Sequence, residues 1–143
     1  MTEGLAIVQL NRRLGFIDKT GKEITPCIYS DIYVSTTTSY GVTIRKSFSE
    51  GLTGVQINGI NGKWGYIDMT GQEIIPCIYD AAFEFTDGLA RVVFNGKWGF
   101  IDKTGEVVIP CIYDVAFPFS KGGTATVRVG EERFNIDKTG KKL

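Results

Sequence analysis

Asn95-Gly96-Lys97-Trp98-Gly99-Phe100-Ile101-Asp102-Lys103-Thr104-Gly105-Glu106-Val107-Val108-Ile109-Pro110-Cys111-Ile112-Tyr113-Asp114 is the stretch from which the fold is read. Asn-Gly stands between two β-rich runs, Leu89–Phe94 and Lys97–Ile101. Both of its residues tolerate positive φ, so it predicts a tight hairpin with a type I′ turn. Asp102-Lys103-Thr104-Gly105 predicts a second turn, because Asp can bond backbone two residues on and Gly takes the left-handed position. Glu106–Ile109 reads as a third strand halted by Pro110, which cannot donate to a ladder. Cys111–Asp114 and Phe117-x-Phe119 read as a compact return connection. No segment holds a 3.6-residue apolar period over eleven residues, so the class is all-β.

Working outward, the same words recur. Ile-Asp-x-Thr-Gly stands at Ile17–Gly21, Ile67–Gly71, Ile101–Gly105 and Ile136–Gly140. Pro-Cys-Ile-Tyr stands at Pro26–Tyr29, Pro76–Tyr79 and Pro110–Tyr113. Gly4-Leu5-Ala6, Gly51-Leu52-Thr53 and Gly88-Leu89-Ala90 form a third block in phase, degraded in the last unit to Gly122-Gly123-Thr124-Ala125. The basic period is 34 residues, the signature of a repeat architecture. One spacing is 50 instead; thirteen extra residues within 30–50 and three near Asn58–Asn61 make up the difference. The chain is therefore expected to form one domain over 1–143, in units of about 1–47, 48–84 and 85–118 with a half unit at 119–143.

Composition narrows the function classes. The chain has 143 residues, 16 Lys+Arg against 16 Asp+Glu, and no His. A net charge of zero offers no footprint for a phosphate backbone, so no nucleic-acid partner is expected. Missing His removes the commonest general base and transition-metal ligand. Apolar runs are far shorter than the roughly 20 residues that span a bilayer, and residues 1–8 lack a basic, signal-like start. No membrane partner is expected, and the cytoplasm is the expected compartment. Three cysteines, an odd count, argue against a disulfide framework.

Asn61-Gly62-Lys63-Trp64-Gly65-Tyr66-Ile67-Asp68 and its copy at 95–102 resemble the signature of bacterial WG-repeat proteins, also called KWG repeats. The upstream Gly-Leu-Ala-x-Val and downstream Ile-Ile-Pro-Cys-x-Tyr-Asp resemble that repeat too, so the likeness covers nearly the whole chain. The first copy departs, with Leu14 in the Trp position; in the fourth, Arg133, Phe134 and Asn135 replace Trp, Gly and the aromatic. The resemblance implies a β-rich repeat array without assigned catalytic activity, serving as an accessory or interaction region.

Chemistry-bearing residues read mostly as structure. Asp18, Asp68, Asp102 and Asp137, with Gly21, Gly71, Gly105 and Gly140, are expected to be turns. Asp-Lys-Thr-Gly also opens a phosphorylated-aspartate ATPase motif, but a nucleophilic carboxylate needs one activated copy with magnesium and nucleotide sites, and here the motif recurs in every unit. Cys27, Cys77 and Cys111 are one position three times. Spacings of 50 and 34 do not suit a zinc site, so no metal or cofactor is expected. Trp64, Trp98, Tyr66, Phe100, Tyr29, Tyr79 and Tyr113 are assigned to a core shared between units, since a unit of this size cannot bury its own apolar face.

The expected architecture is an open, solenoid-like array of three-stranded hairpin-type units, with a small closed barrel or propeller-like ring as the alternative. The expected function is a non-catalytic scaffold that binds a protein partner, as an accessory part of a larger bacterial assembly. The alternative is a glycan or small-ligand module using inter-repeat aromatic pockets. Self-association through terminal strands is a further expectation. The unrepeated insertion at 30–50, read as an extra hairpin meeting near Tyr40-Gly41 with a flexible loop as the alternative, makes Tyr33, Tyr40, Arg45 and Lys46 the candidate partner-binding residues, since such segments carry function.

Overall fold

A computed structural model describes residues 5–33, 35–39, 42–46, 48–57 and 62–143, with the backbone alone for 35–39 and 42–46. All regular structure among them is β. The first sheet is β1 (Leu5–Leu10), β2 (Arg13–Asp18) and β3 (Glu23–Tyr29). The second combines β4 (Asp31–Ile32) with β7 (Leu52–Gln56), β8 (Trp64–Asp68) and β9 (Glu73–Tyr79). Between β4 and β7 lies a separate hairpin of β5 (Ser35–Ser39) and β6 (Val42–Lys46). The third sheet is β10 (Ala81–Thr86), β11 (Leu89–Phe94), β12 (Lys97–Asp102) and β13 (Val107–Tyr113). The fourth is β14 (Val115–Ala116), β15 (Thr124–Val129) and β16 (Glu132–Asp137). Every pairing is antiparallel. β1 pairs only with β2, and the array stays open. No helix among the described residues is long and apolar enough to cross a membrane.

Two features differ from the sequence expectation. The inner sheets have four strands, not three, because the predicted return connection after Tyr79 is itself a strand, β10, that pairs with β11. Sheets therefore change over at Ser30, Asp80 and Asp114, whose amides donate to Gln56, Val93 and Arg128. Pro110 also does not halt its strand: β13 runs through it to Tyr113. Proline is tolerated because β13 is an edge strand.

That proline segment explains the Trp-Gly pair. Trp98 lies opposite Tyr113 and Phe100 opposite Ile109, so two steps on β12 face four on β13. The bulge presses backbone onto Gly99, where a Cβ would come 2.6 Å from the Ile109 carbonyl oxygen and 2.8 Å from the Cys111 nitrogen. Gly15 and Gly65 meet the same bulge from Pro26 and Ile75. Glycine is required by this close approach.

Sheets stack face to face, with one core between each neighbouring pair. Phe100, Ile109 and Tyr113 of the third sheet pack with Ala116, Phe119, Ala125, Val127 and Ile136 of the fourth. Tyr66, Ile75 and Tyr79 do the same with Ala82, Phe85, Ala90, Val92 and Ile101. Phe16 and Tyr29 do so with Ile32, Phe48, Val55 and Ile67. Each core is crossed by a tilted or edge-to-face aromatic pair, Phe16–Phe48 at 5.1 Å, Tyr66–Phe85 at 5.0 Å and Phe100–Phe119 at 4.9 Å. Such geometry suits the ring quadrupoles.

The turns behave as their letters predict. Asn95 and Gly96 both have positive φ, 52° and 79°. Asp102 Oδ1 accepts from the Thr104 amide at 2.9 Å, the Thr104 hydroxyl at 2.6 Å and the Glu106 amide at 3.1 Å. Asp18, Asp68 and Asp137 make the same set. The threonine hydroxyl, foremost, holds each of these carboxyls below its ordinary range.

Candidate partner-binding rim

The predicted hairpin is present, with Ser35 paired to Lys46, Thr36 to Arg45 and Ser39 to Val42. The chain enters it through Tyr33, whose amide donates to the Gly54 carbonyl at 2.9 Å. Among the candidate residues, Tyr33 is placed. Tyr40 lies outside the described residues, as do the side chains of Arg45 and Lys46.

Tyr33 begins a row of half-buried rings along the edges of the sheets. Gly54 leaves room for it: a Cβ there would sit 3.3 Å from Tyr33 Cβ and 3.6 Å from Trp64 Cε3. The Tyr33 ring meets Phe83 edge-on at 6.1 Å. Phe83 stacks on Trp98 at 5.0 Å, with planes 15° apart. Phe83 sits in the irregular part of β10, between Ala82 and Phe85. The buried Tyr66 hydroxyl donates to the Phe83 carbonyl at 2.6 Å, tying the irregular segment to the core.

Arg91 lies across this row. Its guanidinium carbon is 4.6 Å from the Phe83 ring centre and 5.6 Å from that of Trp98. Nη1 donates to the Ala116 carbonyl at 3.2 Å. Burial pulls the Arg91 pKa down, opposed by Tyr33, Glu84 and Tyr66. Among the described residues, no carboxylate forms an ion pair with it. A planar cation on aromatic faces, with donors to spare, suits carboxylate or carbonyl groups of a partner.

Sequence reasoning missed Phe83 and Arg91. The signal was available for Arg91: strand register places it where the other sheets carry Ile7, Gly54 and Thr126. It is an unrepeated residue at a repeated position.

The residues assigned to a shared core divide. Tyr66 and Phe100 are at most 1% exposed, and Tyr29, Tyr79 and Tyr113 are also buried. Trp64 and Trp98 are half-buried, packing at the margins of the cores. The cysteines are half-buried and unpaired. Burial pushes the Cys77 thiol up to about 11 and raises Cys111 too, the opposite of an activated thiol. No group of three or more metal-ligating side chains occurs among the described residues.

The family model described as WG containing repeat matches residues 15–35, 64–98 and 98–132. This chain belongs to the WG-repeat family. The matches run over the Trp-Gly strands, the Asp-x-Thr-Gly turns and the Pro-Cys bulges, the features that build each sheet and its stacking. Comparison with curated proteins gives no match.

Proposed function

We propose that this WG-repeat chain is a non-catalytic scaffold that binds a protein partner along the Tyr33–Phe83–Trp98 rim, beside the β5–β6 hairpin. Arg91 carries the reading: a partly desolvated cation over two rings, with no ion pair among the described residues. A partner's acidic side chain there gains a charge-assisted hydrogen bond in a setting that excludes water. Half-buried aromatics and arginine are also the residue types from which interface hot spots are made. The repeated Asp18, Asp68, Asp102 and Asp137 carboxylates hold turns instead, all four identically. A cytoplasmic bacterial setting, within a larger assembly, goes with this reading, and three unpaired cysteines suit a reducing compartment.

The Phe83–Trp98 stack favours a second reading, a glycan laid on the exposed part of the rings. The two separate by experiment. Wild type, Arg91→Gln and a hairpin deletion are used for affinity capture from native cells, each first matched by thermal melt. A specific protein lost with Arg91→Gln supports the rim. Capture unchanged in both variants, together with a saccharide-induced rise in Tm that Trp98→Ala removes, supports the glycan reading.

A further inference from the structure

The internal interfaces follow one rule, so the two outward faces of the array can be read against it. At each interface the Asp-x-Thr-Gly turn of one sheet seats on the residue before the preceding sheet's proline, or the one before that. A Cβ at Gly105 would lie 3.2 Å from Ile75, one at Gly140 3.4 Å from Ile109, and one at Gly71 2.7 Å from the Ile24 carbonyl oxygen. At two of the three interfaces the turn also carries a lysine that reaches an acid of the preceding sheet; the second sheet's turn has Met69 in that place. Lys103 lies 3.3 Å from Glu50, and Lys138 2.7 Å from Asp87.

The outward face of the fourth sheet breaks the rule with polar residues. Thr124 and Asn135 occupy, by register, the places of Leu89 and Phe100. The Thr126 hydroxyl bonds Asn135 Oδ1 at 2.8 Å. The turn that holds Glu50 or Asp87 elsewhere holds Lys121 and no acid. This face is a solvated cap.

The outward face of the first sheet keeps the rule. Ala6, Val8 and Ile17 match Ala90, Val92 and Ile101, each 0% exposed, yet all three are only half-buried. Nothing lies within 4 Å of a Cβ built at Gly21. Lys19 makes no ion pair among the described residues.

We propose that the outward face of the first sheet is a docking face for a further β-sheet of the same repeat type, which sets Leu, aromatic and Ile side chains on Ala6, Val8 and Ile17 and brings a carboxylate to Lys19. Charge complementarity names the occupant. A second copy of this chain is a poor one, because its free face is polar and would set Lys121 near Lys19.

The full chain supplies its own probe. A donor carries Thr124→Leu and Asn135→Phe, which set the third sheet's residues at matching register positions, Lys121→Asp, which puts an acid in the turn before them, and Val8→Lys to block its own docking face. Labelled wild type is titrated with this donor and followed by fluorescence anisotropy. A saturable one-to-one complex is expected, weakened at least tenfold when the labelled chain carries Lys19→Glu or Val8→Lys. A donor carrying Lys121→Asp and Val8→Lys, which alters no fully buried residue, is expected to bind more weakly, with affinity falling as salt rises. Absence of binding by both donors, each shown folded by circular dichroism, would overturn the proposal. So would binding indifferent to Lys19→Glu, or a wild-type homodimer in light scattering that Val8→Lys dissolves.

Discussion

The core between the first and second sheets and the core between the third and fourth use the same register positions, yet differ in polarity at two of them. Thr25 stands where the later core has Ile109, and Thr53 where it has Ala125. Both threonines are buried, at 2% and 1% exposure. The Thr25 hydroxyl accepts from the Phe16 amide at 3.0 Å. Among the described residues, the Thr53 hydroxyl has no partner. The positions specify a shape, and a polar atom entering that shape is harmless only where a bonding group is already at hand.

Four measurements break or sharpen this comparison. Phe100→Ala in the later core should lower stability by about 3–5 kcal/mol in urea unfolding, and Phe16→Ala in the earlier core by a similar amount. A far smaller loss at Phe16 would mean that the first sheet is not held by the same packing. Gly99→Ala follows, at about 1–3 kcal/mol, because its Cβ meets backbone atoms at 2.6 and 2.8 Å, which cannot step aside as the nearby Cys111 side chain can. Gly54→Ala meets only side chains at 3.3 and 3.6 Å and a carbonyl at 3.8 Å, and should cost less.

The two threonines should then part in sign. Thr25→Val strands the Phe16 amide and should cost about 1–3 kcal/mol. Thr53→Val removes an unpaired hydroxyl at nearly constant volume and should raise stability by about 1 kcal/mol. Equal losses in both would show that the Thr53 hydroxyl is bonded in solution.

The smallest effect per site is in the turns, and it is read with acid. Asp18, Asp68, Asp102 and Asp137 are held below their ordinary range, so the unfolded chain takes up protons first. Their contribution is full above about pH 4 and is lost as pH falls through and below that value. The Tm should be flat from pH 5 to 8 on this account and fall below about pH 4. Asp102→Asn should make that fall shallower while slightly lowering the plateau.

Much of the fold was legible because the chain repeats its own instructions. Asn-Gly, Asp-x-Thr-Gly and the 34-residue period each map onto one local backbone event, so hairpins and turns followed from letters. The fourth strand was hidden because Ala81–Thr86 is broken by a register shift between Ala82 and Phe85, which blurs its alternation. Pro110 misled for a related reason: edge position, invisible in sequence, decides whether proline ends a strand. At the rim, Tyr33 is singled out in the sequence by the insertion it introduces. Phe83 and Arg91 were missed because their meeting depends on three adjacent strands, β10, β11 and β12.

The β5–β6 hairpin carries one more consequence. Ile32 and Phe48 flank it and still fill the places held elsewhere by Ala82 and Phe85, where only Phe83 and Glu84 intervene. The core therefore does not register how much chain passes between these two anchors. The spot is a natural graft point, where segments can be exchanged or lengthened during evolution, or in the laboratory, without renegotiating the stack beneath. Diversity of recognition can accumulate there while the scaffold stays constant, much as loops vary on an unchanging frame.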